Sequence, residues 1–143
     1  MSTALDDLCL EFARSVIHGL ARLLERDVPV KIVCTGRTDA QHALNVTKGT
    51  SKTSHSKHVP ATNSACPICS GTLSHAIDIV PWEIFTSAPG GDKALWMEGK
   101  SRDEILAHPS WGAIVEVGRA AGFRLGADWH DPFDPGHWET PPS

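Results

Sequence analysis

A long polar stretch, Val46 to Leu73, rich in Ser, Thr, Lys and His and broken by Gly, Pro and Asn, separates the two segments that read as apolar strands. A run of that length without regular structure is uncommon inside a compact domain, and where it occurs it is usually functional. The fold must therefore be read from the segments on either side of it. With 143 residues the chain fits one domain. A chain of that size buries roughly 70% of its unfolded surface, enough for a core without staples. Residues 1–143 are expected to form a single domain and to act as a monomer.

On the N-terminal side, Leu5, Leu8, Phe12, Val16, Leu20 and Leu23 recur at three- and four-residue spacing. This predicts an amphipathic helix from Thr3 to about Arg26. Thr3 can cap it, and Asp6 and Asp7 suit the positive end of its dipole. Val30–Thr35 is apolar and β-branched, a strand pattern, and Arg37–Leu44 can form a short helix. After the polar stretch, Ala76–Pro81 returns to strand character with an acid in its middle. Thr86–Lys93 holds Pro89-Gly90-Gly91 and reads as a turn or mobile loop. Ser101 with Glu104 forms a capping box for a short helix that Pro109 interrupts. A further helix from about Ser110 to Ala121 stops at Gly122. Phe123–Leu125 can be a strand, and Gly126 to Glu139 is aromatic and acidic. Helices and short strands mix without a βαβ rhythm, which points to an α+β fold with a small, mainly antiparallel sheet flanked by helices.

The formal charge of −4 is spread along the chain, and no Lys/Arg run could track a phosphate backbone, so nucleic acid is excluded as an expected partner. No segment approaches the ~18 consecutive apolar residues of a membrane span. Met1–Leu10 lacks the basic, apolar and small-residue order of a signal peptide, so the chain is expected to be made in the cytoplasm. Eight His and four Cys are present. Cys9 and Cys34 stand alone in apolar segments and read as small buried hydrophobes. Cys66 and Cys69 form a CxxC pair. His18, His42, His108 and His130 read as surface or structural residues, and Trp129 and Trp138 as packing residues.

Three local patterns carry chemistry: Ser51-Lys-Thr53-Ser-His55-Ser56-Lys-His58, Ala76-Ile-Asp78-Ile, and Asp128-Trp-His-Asp-Pro-Phe-Asp134-Pro-Gly-His137-Trp-Glu139. A lone Asp between two Ile needs a partner or a cation. Two His and one Asp supply the three protein ligands of a catalytic zinc and leave a fourth position for water. Asp134, three residues before His137, can stand beside such a metal as general base.

These residues resemble the zinc peptidases of the D-alanyl-D-alanine carboxypeptidase and L-alanyl-D-glutamate endopeptidase family, which share the hedgehog/DD-peptidase fold. Its pattern, SxHxxGxAxD followed far downstream by an acid, two residues and a histidine, is matched by Ser56-x-His58, Ala76-x-Asp78 and Asp134-x-x-His137. The lead-in Ser51-x-Thr53 and the Asp128-Trp129 stretch are similar to the phage endolysin branch. Arg37-Thr38 followed by Gln41 resembles the family's RTxxQ segment, whose arginine binds a substrate carboxylate. The resemblance spans roughly Lys31 to Glu139. It implies Zn(2+) on His58, Asp78 and His137, Asp134 as base and Arg37 as substrate anchor. The implied substrate is the stem peptide of peptidoglycan, cut by an L-alanyl-D-glutamate endopeptidase that reaches the wall after release from the host cytoplasm.

The sequence departs from the pattern in one place. His58 and Asp78 are twenty positions apart, far more than the family spacing, and Ser74 stands where the family glycine is expected. An insertion at about Ala61–Ser74 therefore bulges between the two ligands, and it contains Cys66 and Cys69. Several alternatives remain at this stage. His55 could replace His58, and Asp131 could replace Asp134. The activity could be that of a D-alanyl-D-alanine carboxypeptidase. His58, Cys66, Cys69 and His75 could instead form a zinc knuckle in a non-enzymatic binding module. In an enzyme, the two cysteines could hold a structural zinc with His55 or His75, or form a disulfide.

Overall fold

The computed structural model describes residues 2–48, 56–83 and 93–141. A 3-10 turn (Leu5–Asp7) leads into helix α1 (Leu10–Glu25), which buries Phe12, Val16, Gly19 and Leu23 along one stripe. The helix starts later than its apolar period suggests, and Thr3 does not cap it. Leu8 instead pairs with Ser74 in an isolated parallel bridge. The Cys9 N–H donates to Ser74 O at 2.9 Å, and the Ser74 N–H donates to Asp7 O at 2.8 Å. Backbone groups engaged in that bridge are not free for a helical ladder, so tertiary pairing overrides local periodicity here.

Strand β1 (Val30–Cys34) is followed by α2 (Asp39–Thr47), which runs past the expected Leu44. Its start is a capping box. The Thr38 hydroxyl accepts from the Gln41 N–H at 3.1 Å, and Gln41 Oε1 accepts from the Thr38 N–H at 3.0 Å. Within the polar stretch a short 3-10 turn (Pro60–Asn63) appears. Then come β2 (Ala76–Glu83), β3 (Lys93–Ala94), α3 (Arg102–Ala107), α4 (Pro109–Ala120), β4 (Arg124–Leu125) and β5 (His137–Glu139). The Ser101/Glu104 box opens α3 as expected. Pro109 does end α3, but it does so as the first residue of α4, where its missing N–H costs nothing. His108 caps that helix, its Nδ1 accepting from the Ser110 N–H at 3.2 Å, which makes it a structural histidine. Gly122 closes α4 at φ +83°, a conformation that favours glycine.

The sheet is antiparallel, in the order β1-β2-β5-β4, with β3 on the far end of β2. This is the α+β class with a small antiparallel sheet that the sequence suggests. The strands its patterning does not announce are β5 and the short β3, and of the turn expected over Thr86–Lys93 all but Lys93, which lies in β3, falls outside the described residues. Side chains alternate across β2 and β5. Ile77 lies opposite Trp138, and both are fully buried beneath α1 and α4. The Trp138 ring packs on Phe123 at 5.2 Å and lies against Gly118, where a Cβ would collide with it, and Gly19, where a Cβ would be tight. Burying such a ring, with ~200 Å² of apolar surface, stabilises the fold by about 5 kcal/mol. The same alternation sends Asp78 and His137, which are paired in register, to the other face. Cys34 joins them from β1, opposite Asp78 just past a β-bulge. Among the described residues no helix is long and apolar enough to cross a membrane.

Candidate active site

Asp78 is the centre of a cluster drawn from three directions. Across the sheet, His137 Nδ1 lies 2.8 Å from Asp78 Oδ1. From the polar loop, His58 Nε2 lies 3.1 Å from Asp78 Oδ2. From the end of β1, Arg37 reaches Asp78 Oδ2 at 3.5 Å. Asp134 stands 3.8 Å from His137 Nδ1, with its side chain 43% exposed. The two imidazoles meet edge to face, ring centres 5.1 Å apart. The structure thus brings together all five residues singled out from the sequence: Arg37, His58, Asp78, Asp134 and His137. His55 and the Ser51–Thr53 lead-in lie outside the described residues. Asp131 is exposed.

Local sequence explains each position. The Arg37 N–H donates to His58 O at 3.0 Å, tying the loop to the end of β1. Thr38 and Gln41 are used up in the α2 capping box, so within that segment only Arg37 turns toward Asp78. The turn carrying Asp134 is packed so tightly that a Cβ on Gly126 would run into Asp134 O, and one on Gly136 into Ile79 O. Arg102 of α3 holds the same turn from outside, donating to Ala127 O and Trp129 O, each at 2.8 Å. On the far side of Arg37, toward the N-terminus, opens a cavity of about 370 Å³ lined by Asp6, Asp7, Thr38, Gln41 and Pro60 among others; Arg37 is the one residue of the cluster that borders it.

Two further residues touch the outer nitrogens of the histidines. Glu139 Oε1 lies 2.9 Å from His137 Nε2, and Cys34 Sγ lies 3.6 Å from His58 Nδ1. Sequence reasoning missed both as site residues. The signal for Glu139 was present, because a residue two along a strand shares the face of His137. Lys57 backs Glu139 at 3.5 Å.

The electrostatics follow from this geometry. Burial lowers the His58 pKa and outweighs the pull of Asp78, which leaves a neutral imidazole. Burial also opposes charge on His137, but its hydrogen bonds to Asp78 and Glu139 prevail and hold its pKa up to about 9. Asp78 is buried as well, yet His137 and His58 keep its carboxyl well below the usual range. Burial and the neighbouring Asp78 charge raise Asp134 to about 6.

The residues fit a divalent metal. His58 Nε2 is buried without a well-aligned hydrogen bond, although it faces a carboxylate. One ligand atom each from Asp78, Asp134 and His137 falls within 4.8 Å of one another, as do those of Cys34, His58 and Asp78; Asp78 links the two sets, while His58, Asp78 and His137 do not form a set of their own at that distance. Two imidazoles and one carboxylate form the donor set of an open zinc site. Their outer nitrogens facing Glu139 and Cys34 supply the outer-sphere contacts that orient such ligands. Cys66, Cys69 and His75 gather elsewhere, and His58 is not among them, so the knuckle of His58, Cys66, Cys69 and His75 considered from the sequence does not form.

No family model matches the chain, and a search of curated proteins finds no match either. Among solved structures the chain is similar to the L-Ala D-Glu endopeptidase ChiX of Serratia marcescens. The TM-score is 0.57 and the identity 21%, over 98% of this chain and 89% of that one. Likeness at that identity establishes a shared fold.

Proposed function

We propose that this protein is a zinc-dependent peptidase that hydrolyses the stem peptide of peptidoglycan, acting as an L-alanyl-D-glutamate endopeptidase of the phage endolysin type. The observation that carries this reading is the convergence of His58 Nε2 and His137 Nδ1 on the Asp78 carboxylate, at 3.1 and 2.8 Å. The fold shared with ChiX, itself an L-Ala D-Glu endopeptidase, supports the substrate class.

His58, Asp78 and His137 would hold the zinc. When bound, zinc lowers the pKa of a coordinated water to ~7 and polarises the carbonyl under attack. Asp134, part-exposed and next to His137, accepts a proton at its carboxylate and returns it to the leaving amine. Glu139 and Cys34 orient the imidazoles from behind. Arg37 offers its guanidinium to a substrate carboxylate.

The test is mass spectrometry of purified peptidoglycan after digestion. The expected product carries a new amino terminus on D-glutamate, and the activity disappears with chelator and returns with zinc. Release of free D-alanine instead would replace the endopeptidase with a carboxypeptidase. No hydrolysis by zinc-loaded protein would refute the proposal.

A further inference from the structure

The loop that supplies His58 also builds a second cluster, which shares no residue with the first. The sulfur atoms of Cys9, Cys66 and Cys69 and a ring nitrogen of His75 all lie within 4.8 Å of one another. Cys9 Sγ and Cys66 Sγ are 3.8 Å apart, and His75 Nε2 is 3.3 Å from Cys69 Sγ. All three cysteines are free thiols. Cys9 and Cys69 are buried. Thiols are weak hydrogen-bond partners, so three of them facing one another and an imidazole gain little from packing alone.

We propose that Cys9, Cys66, Cys69 and His75 bind a zinc ion in a closed, tetrahedral, structural site that joins α1, the inserted loop and the sheet. The Cys9–Cys66 and Cys69–His75 distances are close to those of such a site. Metal–sulfur bonds of ~2.3 Å at tetrahedral angles set two sulfurs ~3.8 Å apart, and a sulfur and an imidazole nitrogen ~3.6 Å apart. The ligand spacing also fits: Cys66-Pro-Ile-Cys69 is a two-residue chelate followed by Ser70 at φ +49° and Gly71 at φ +78°. Those two left-handed residues turn the chain sharply back after the second cysteine. Backbone hydrogen bonds from Cys69 and Ile68 hold the Cys66 thiol below its ordinary range, whereas burial pushes the Cys9 thiol up to about 12; a bound zinc would have to displace that proton. Burial and the charge of Lys57 lower the pKa of His75, keeping the imidazole neutral. Its other nitrogen, Nδ1, faces the Thr140 hydroxyl at 3.4 Å, the outer contact that sets a ligating ring.

Four protein ligands leave no open position, so this site stabilises and does not catalyse. The placement shows what it stabilises. Cys9 is the N-cap residue of α1, His75 immediately precedes β2, and the Leu8–Ser74 bridge lies between them. The Asn63 amide clamps the base of the loop, donating to Lys57 O and Leu73 O, each at 3.1 Å. A metal at the cysteines would close the other side. The insertion would then be a cross-linked unit that holds the His58 segment against the sheet, in a stretch too polar to pack itself. This proposal does not depend on the peptidase reading.

The experiment is zinc-edge X-ray absorption and metal analysis of the full chain, purified under reducing conditions. Wild type is expected to show a sulfur shell at ~2.3 Å. Asp78→Asn, which removes a ligand of the other site, should keep that shell and raise its share of the scattering. Cys9→Ser should lower the sulfur count by one or lose the ion, with a lower melting temperature, whereas Cys34→Ser should leave the sulfur shell unchanged. Zinc with no sulfur neighbours in wild type would overturn the proposal without touching the peptidase reading. A Cys9–Cys66 or Cys66–Cys69 disulfide, seen as two rather than four titratable thiols in the denatured, unreduced chain, would overturn it as well. A sulfur shell that depends on Cys34 and not on Cys9 would do the same. The wild-type spectrum decides the matter even if Cys9→Ser fails to fold.

Discussion

Asp78 on β2 and His137 on β5 face each other in register, and their side chains meet at 2.8 Å. This single pairing converts two residues 59 apart in sequence into neighbours on a rigid sheet, which is a more accurate support for ligands than a loop. It also leaves Asp78 as the common counter-charge for His137 and Arg37 and the partner of the neutral His58. Asp78→Asn preserves the shape while removing that charge. The variant is expected to lose the catalytic zinc, a fall of about one ion per chain, together with hydrolysis, and to keep its far-ultraviolet dichroism. Full metal content with normal turnover would remove Asp78 from the ligand set.

Glu139 acts one step further out. It meets His137 Nε2 at 2.9 Å and fixes which ring nitrogen remains free to face Asp78. Losing an outer contact of this kind typically costs ~10–100-fold in metal affinity. Glu139→Gln is therefore expected to bind zinc that much more weakly in a competition titration with a chromogenic chelator, and to regain most of its kcat at saturating zinc. A kcat that stays low with the metal fully loaded would assign Glu139 a direct part in catalysis.

The metal-free protein should respond to pH in a specific direction. His137 is raised to about 9, against its own burial, by hydrogen bonds to Asp78 and Glu139. A histidine raised on folding contributes stability that is complete below its unfolded pKa of ~6.5 and is lost as the pH climbs through about 9. Asp134, raised to about 6 by burial and the Asp78 charge, adds a loss in the same direction from ~3.9 upward. Asp78 works the other way, its contribution vanishing only in acid. With chelator present, the melting temperature should fall steadily from pH 6.5 to 8.5. Zinc in place of the proton should flatten that slope. A chelated protein equally stable at both ends of the range would show that the proton on His137 is not held as described.

Much of this was legible in the sequence because it depends on local pattern. The α1 stripe, the Ser101/Glu104 cap and the strand around Asp78 each follow from spacing that one element imposes. The resemblance to a peptidase family then singled out His58, Asp78, Asp134, His137 and Arg37, and the fold gathers them. What was hidden depends on tertiary pairing. Leu8 fits the apolar period of α1 but is withdrawn from the helix by Ser74. Cys9, read as a small hydrophobe, is indeed buried, yet its sulfur meets Cys66 only because the loop folds back over the start of α1. The Thr38 and Gln41 of the RTxxQ segment, noted for their likeness to a substrate-binding motif, turn out to cap a helix.

The sharpest test separates catalysis from metal binding at Asp134. Its side chain lies 3.8 Å from His137 Nδ1 and is 43% exposed, so it borders the cluster from the solvent side. In the proposed site His58, Asp78 and His137 hold zinc without it, so Asp134→Ala should keep zinc content and melting temperature close to wild type. Loss of the ion would make Asp134 a ligand, as its place beside Asp78 and His137 also allows. Removing a general base typically slows a reaction by ~10²–10⁴-fold, and kcat should fall by that much. Asp134→Glu keeps the carboxylate and displaces it by about a methylene, so it should recover part of the rate. Because burial and the Asp78 charge raise Asp134 only in the metal-free site, zinc should bring its pKa back down, and the acid limb of the pH–rate profile should lie below about 6. Wild-type peptidoglycan hydrolysis by zinc-loaded Asp134→Ala would place the base elsewhere, with Asp131 and Glu139 the next residues to replace.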